Sequence, residues 1–283
     1  MIEAVLERVW PGGTESVESL GGGITNHNFK VRAGGECFVL RVGGNDTALL
    51  GIDREVEHEA SRAAAGLGIA PEVVAFLQPE GYLVTRFVEG ESGAVSVSEA
   101  AALLGRLHAA PPIRGCFDAF RVVETYAATA RAAGARLPSG YAEAQLTAAR
   151  IEHRRGRVEP RPCHNDLLPA NFIRARGPGG GERLWIVDWE YAGMGDPAFD
   201  LANFAVNNGL DEAGDRALLE AYGGGDPDHH VLMRYMSDFR EAMWAVVQHA
   251  VSELDFDFGR YAREHFGRLE ATAAEARFRQ ALG

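Results

Sequence analysis

The chain has 283 residues, 46% hydrophobic and 24% charged, an ordinary balance for a globular protein of one large or two modest domains. Its 28 Lys and Arg against 40 Asp and Glu leave a formal charge of −12, which disfavours a general nucleic-acid or anionic-membrane binder, since either wants a net basic face. Three scattered cysteines, Cys37, Cys116 and Cys163, lack any CxxC or Cys/His spacing, so neither structural zinc nor a disulfide framework is expected.

Residues 1–10 predict a short amphipathic helix stopped by Pro11-Gly12-Gly13. This start has no long apolar core of a signal peptide, and no run approaches the ~20 apolar residues of a membrane span. The expected location is the cytoplasm. Segments 17–20, 29–33 and 37–42 read as strands joined by Gly-rich turns, an antiparallel meander. Residues 53–67 predict a helix with Gly68 beyond its end, followed by strands 73–77 and 82–87. A polar, Gly-rich linker at 88–93 then divides the chain into a sheet unit, 1–90, and a helical unit, 91–283. Ser96 and Glu99 form a capping pattern ahead of a helix that ends before Pro111-Pro112. Further helices are expected near 121–134, 140–155, 211–222, 228–252 and 257–281, with a strand-rich island at 161–189. The fold class is therefore α+β, and the crevice between sheet and helices is the expected ligand site.

The strongest chemical signal is the run Cys163-His164-Asn165-Asp166-Leu167-Leu168-Pro169-Ala170-Asn171. His-x-Asp with an asparagine five residues beyond the aspartate is a phosphotransfer-loop pattern. A phosphoryl acceptor hydroxyl needs a carboxylate to orient it and take its proton, and Asp166 is placed for that. The amide oxygen of Asn171 is a hard neutral ligand suited to Mg²⁺. The apolar run 184–187 ends in Asp188-Trp189-Glu190, so Asp188 follows a buried strand and is the candidate carboxylate ligand. Glu190 is a candidate to support the metal ligands or to bind a second metal, or else a surface or cap glutamate.

Two further signals lie in the sheet unit. Gly21-Gly22-Gly23 between two strands lets backbone N–H groups approach phosphates, and Thr25, Asn26 and His27 add side-chain donors. No P-loop or Rossmann fingerprint accompanies it. Arg41, on the third strand, is the candidate phosphate cation, and an arginine is expected there because Lys30 is the only lysine. Its first-choice helix partner is Glu57, with Glu55 and Glu59 as competitors.

Together these residues resemble the aminoglycoside phosphotransferase/choline kinase family, which has a two-lobed protein-kinase-like fold. The matched stretches are 20–29, 38–41, 164–171 and 186–200, and the chain looks most like the bacterial choline/ethanolamine kinase branch. The resemblance implies a small N-terminal antiparallel sheet lobe and a larger helical C-terminal lobe. It implies phosphorylation of a small-molecule hydroxyl with ATP and Mg²⁺, Asp166 as base and Asn171 and Asp188 on the metal. Gly22, Gly23, Thr25, Asn26, Asn28, Arg41 and Glu57 would surround the nucleotide, with a hinge at 82–88. On the substrate side it points to Trp244 and Tyr261, with Glu241 placed to meet an amine, beside Glu190. Aromatic faces attract ammonium groups, so the expected acceptor is a small cationic alcohol such as choline or ethanolamine. Thiamine, an aminoglycoside or a sugar is the alternative acceptor, and a non-catalytic nucleotide binder is the alternative role.

Overall fold

The computed structural model describes residues 2–21, 26–44, 47–177, 180–252 and 254–283. Gly22, Gly23 and Thr25 therefore lie outside the described residues. Helix α1 (Ile2–Val9) precedes β1 (Ser16–Leu20), β2 (Asn26–Ala33) and β3 (Glu36–Gly43). A 3₁₀ turn at Thr47–Leu50 leads to α2 (Arg54–Gly66), then β4 (Val73–Leu77) and β5 (Tyr82–Arg86). The five strands form one antiparallel sheet in the order β1-β2-β3-β5-β4. Alternation sets its face: Val31 and Ala33 on β2 and Phe38 and Leu40 on β3 point inward, against Val5 and Val84. Each such fully buried Val or Leu is worth roughly 1.5–3 kcal/mol.

The 88–93 segment, expected as a linker, contains a short strand, β6 (Gly90–Ser92). It pairs with β8 (Phe172–Arg176), which pairs in turn with β9 (Glu182–Ile186). A two-stranded ribbon joins β7 (Arg161–Cys163) to β10 (Gly193–Gly195). The helices are α3 (Val97–His108), α4 (Ala119–Ala132), α5 (Tyr141–Arg155), α6 (Pro197–Asn207), α7 (Glu212–Tyr222), α8 (Pro227–Val251), α9 (Phe258–Ala274) and α10 (Ala276–Leu282). Ser96 and Glu99 close the expected capping box on α3. The single helix expected over 257–281 is two, because Glu275 adopts an extended ψ of 139° and caps the second.

Long apolar α8 is the axis of the largest core, packed by α4, α6 and α9 with Phe120, Tyr126, Phe199, Phe239 and Phe266. The sheet does not rest on that core through its connecting strand alone. Leu50 and Ile52, between β3 and α2, are buried in it, and Leu50 accepts a hydrogen bond from the Tyr126 hydroxyl at 3.3 Å. At the other end of α2, Ala60, Ala64 and Ile69 join a second core with Leu104, Leu167, Phe172 and Ile186. No helix among the described residues is long and apolar enough to cross a membrane.

Candidate active site

The loop after β7 is shaped by a helix whose contacting residues lie 35 and 36 positions downstream in the chain. Asp200, fully buried on α6, accepts from the backbone N–H groups of His164 (2.8 Å) and Asn165 (2.6 Å), and contacts His108 Nε2 at 3.0 Å. Asn203, three residues on along the same helix, accepts from the Leu167 N–H at 2.6 Å. These buried bonds, charge-assisted at Asp200 and neutral at Asn203, fix the backbone on both sides of Asp166. Asn165 sits at φ +68°, a left-handed conformation that asparagine tolerates, and its amide donates to the Tyr191 carbonyl. His164 lies within 3.0 Å of the Val187 carbonyl, and burial holds its pKa below the ordinary histidine value, so the ring is neutral and structural.

Asp166 is thereby presented with both oxygens engaged: Oδ1 lies 3.3 Å from Arg240 Nη1, and Oδ2 lies 3.5 Å from the Asn171 amide nitrogen. Burial pushes its carboxyl up to about 7. Arg240 opposes that shift, while the charges of Glu241, Asp188 and Glu190 add to it. Asn171, at the end of a 3₁₀ turn (Pro169–Asn171), donates its amide to the Asp166 carbonyl at 2.8 Å, which leaves the amide oxygen as its ligand atom. The Asn171 carbonyl in turn accepts from the Val187 N–H at 2.9 Å. That bond sets Asp188 beside the loop, at φ +69°.

The Asp188 carboxylate lies 2.8 Å from Arg41 Nη1 on β3, and Glu57 on α2 lies 2.5 Å from the same nitrogen. Of the three glutamates weighed as partners of Arg41, Glu57 is the one in contact; Glu55 meets Gln78 and Glu59 meets the Arg114 backbone. Burial alone would lower the Arg41 pKa, but Asp188, Glu57 and Glu190 outweigh it and raise it further. The α2 cap explains the placement. Asp53 accepts from the N–H groups of Glu55 and Val56, so Arg54 and Glu57 occupy the first turn, three residues apart on one face. Arg54 Nη1 lies 2.5 Å from Glu57 and 3.3 Å from Glu190, and its Nη2 lies 2.6 Å from Asn26 Oδ1. Asn26 donates to Glu190 at 2.8 Å. Burial and the neighbouring Asp188 charge push the Glu190 carboxyl up to about 6, against the pull of Arg41. Asn28 stands opposite Arg41 in the β2–β3 register, and its buried Oδ1 has no hydrogen-bond partner among the described residues.

On the other side of Asp166, α8 supplies Arg240, Glu241 and Trp244, and α9 supplies Tyr261. Glu241, expected to face an amine, uses one oxygen on Arg240 Nη1 (2.6 Å) and accepts from the Tyr261 hydroxyl (3.1 Å) on the other. Trp244 is mostly buried and stands edge-on to Tyr261 and Phe258, with ring centroids 6.1 and 5.8 Å apart. Arg240 stacks on the Tyr191 ring at 4.4 Å. Arg54 and Arg240 were not among the expected site residues. Arginines on helices read as solvated, and Arg240, flanked by Ser237, Asp238 and Glu241, carries no local signal to the contrary.

Asn171 and Asp188 form a donor set that fits a hard divalent cation. Both offer oxygen: the Asn171 amide nitrogen is spent on the Asp166 carbonyl, which leaves its oxygen, and the bond from the Val187 N–H to the Asn171 carbonyl holds the Asp188 carboxylate beside the same loop. A model of the phosphotransferase enzyme family matches residues 16–235, which contain every element of this arrangement except Glu241, Trp244, Tyr261 and Arg240. The chain belongs to that family. Protein LicA of Haemophilus influenzae is 30% identical over 212 residues, 71% of this chain and 61% of the relative's length. A choline/ethanolamine kinase family protein from Mesorhizobium loti superposes with a TM-score of 0.81 at 30% identity, over 99% of this chain and 96% of that one. The choline kinase LicA from Streptococcus pneumoniae shares the fold, with a TM-score of 0.82 at 24% identity over 96% and 99% of the two chains. These neighbours carry the expected kinase-like arrangement of an N-terminal antiparallel sheet and a helical C-terminal portion.

Proposed function

We propose that this protein transfers the γ-phosphoryl group of ATP to the hydroxyl of a small amino alcohol of the choline/ethanolamine type. The observation that carries the reading is the convergence of Asp166, Asn171 and Asp188 with the Arg41–Glu57 pair. In this reading the sheet unit, 1–90, holds the nucleotide, and the helical unit, 91–283, supplies the catalytic loop and the acceptor surface. Arg41, held by Glu57, presents a guanidinium to phosphate oxygens. Asn26 and Asn28, at the start of β2, flank that position from the adjoining strand. Mg²⁺ held by Asn171 and Asp188 would neutralise charge on the phosphates.

Asp166 orients the acceptor hydroxyl and takes its proton. Burial raises its basicity, while Arg240 and the Asn171 amide fix the carboxylate plane. The acceptor's cationic end is drawn to the Trp244 and Tyr261 rings, where aromatic faces favour a weakly hydrated ammonium. Because Glu241 is already bonded to Arg240 and Tyr261, it acts there as a neutralised carboxylate rather than as a free counter-ion. That arrangement suits an alkylated ammonium better than a primary amine. The neighbour from Mesorhizobium loti, a choline/ethanolamine kinase family protein by name, supports the same substrate class. The test is ADP release by the purified protein with ATP and magnesium against choline, ethanolamine, thiamine and an aminoglycoside. Turnover with choline or ethanolamine is expected; turnover only with the latter two removes the assignment.

A further inference from the structure

Arg54 has no part in the transfer as derived above, yet the structure makes unusual room for it. A Cβ at Gly43 would lie 3.0 Å from Arg54 Nη2. One at Gly81, which sits at φ +74°, would lie 2.7 Å from Arg54 Cβ. The side chain thus runs in a channel whose walls are kept bare at two points far apart in sequence. At its end the guanidinium is shared among three acceptors on three elements: Glu57 on α2, Asn26 at the start of β2, and Glu190 in the turn after β9. Asn26 and Glu190 are bonded to each other as well, so Arg54, Asn26 and Glu190 close a ring.

The charges around this ring give it a purpose. Three carboxylates, Glu57, Asp188 and Glu190, crowd against Arg41, and like charges in a buried site repel strongly. Arg54 brings a second cation to Glu57 and Glu190, which leaves Arg41 less committed and able to turn to a phosphate. It also ties the beginning of β2, where the Gly-rich segment ends, to the turn that carries Asp188.

We propose that Arg54 is a positioning residue that latches the start of β2 to the Asp188–Glu190 turn, and thereby sets the nucleotide-side half of the site before any ligand binds. This rests on the kinase reading for its consequence in binding, while the latch itself is a property of the protein alone. Glu190 belongs to the latch and not to the acceptor surface.

The experiment compares wild type with Arg54→Met, Glu190→Gln, the double variant, and Gly43→Ala, which crowds the guanidinium without removing any charge. Hydrogen exchange of the ligand-free proteins is read first. Faster exchange is expected at both 26–30 and 187–192 in every variant, smallest in Gly43→Ala. Magnesium-ADP binding is read second. Its Kd is expected to rise about tenfold in Arg54→Met, the scale for a buried charge-assisted bond, and no further in the double variant. The KM of the acceptor alcohol should stay unchanged, a split that simple loss of stability would not produce. Unchanged exchange at 187–192 in Arg54→Met overturns the latch, as does full additivity in the double variant. If wild type binds no magnesium-ADP, the kinase reading fails, and the exchange data still decide the latch.

Discussion

Replacing Asp166 by asparagine should abolish turnover and at the same time make the protein more stable. The carboxyl is pushed from its ordinary 3.8 up to about 7 in the folded state, chiefly by burial. Between those values the unfolded chain gives up the proton while the folded one keeps it. Stability therefore falls as pH rises from about 4 and reaches its floor above pH 7. The full cost of holding this carboxylate charged is about 4 kcal/mol, taking 1.36 kcal/mol per pKa unit. The attraction of Arg240 is already contained in that figure, but asparagine sets its NH2 against the Asn171 amide nitrogen, 3.5 Å from the present Oδ2, and a buried donor without an acceptor brings the net gain down to roughly 1–3 kcal/mol. A few degrees in Tm follow, at about 2–4 °C per kcal/mol for a chain of this order. The assay is thermal unfolding of wild type and Asp166→Asn from pH 5 to pH 8, without magnesium or nucleotide. The gain should be largest at pH 8 and shrink steadily toward pH 5. A variant that melts below wild type at pH 8, or a gain that ignores pH, would refute the claim that the protein sustains a buried charge there for the sake of chemistry.

Arg240→Met leaves Asp166 and Glu241 as buried carboxylates without their shared cation. A loss of about 3–5 kcal/mol is expected, read by denaturant unfolding; Arg240→Met/Glu241→Gln should recover much of it, and a double variant as unstable as the single would show that shape, not charge, is at stake. Trp244→Ala should raise the KM for a cationic acceptor roughly 2- to 30-fold, the range of one cation–π contact, and leave the KM for ATP alone. Equal changes in both constants in steady-state kinetics would place Trp244 in the core only.

The sheet was legible because its signals are local. Alternating residues with Gly-rich turns mark β1 to β5, and Asp53 with Gly68 brackets α2. The phosphotransfer loop was legible because its chemistry is compressed into eight residues, 164–171. Helix α6 is missing from the expected helices although Asp196 caps it and Pro197 opens it, because the same residues fall in the 186–200 motif, whose residue types follow chemistry as much as helix formation. The Arg41–Glu57 contact followed from residue type, but which glutamate of α2 faces β3 depends on where the Asp53 cap begins the first turn. Arg54 and Arg240 escaped for another reason. A buried cation is defined by partners from distant segments, here Glu190 for one and Asp166 for the other, and no spacing along the chain encodes such a meeting.

The grip of α6 on the loop at 164–167 has an implication for engineering. Three backbone amides of that loop are satisfied by Asp200 and Asn203, not by a neighbouring strand. The stretch therefore owns no shape apart from the helix, and a transplant of residues 163–171 into another scaffold would collapse unless 196–204 travelled with it. The smallest portable piece of this machinery is two separated segments, and any redesign that tilts the helix redirects the aspartate at the loop's centre.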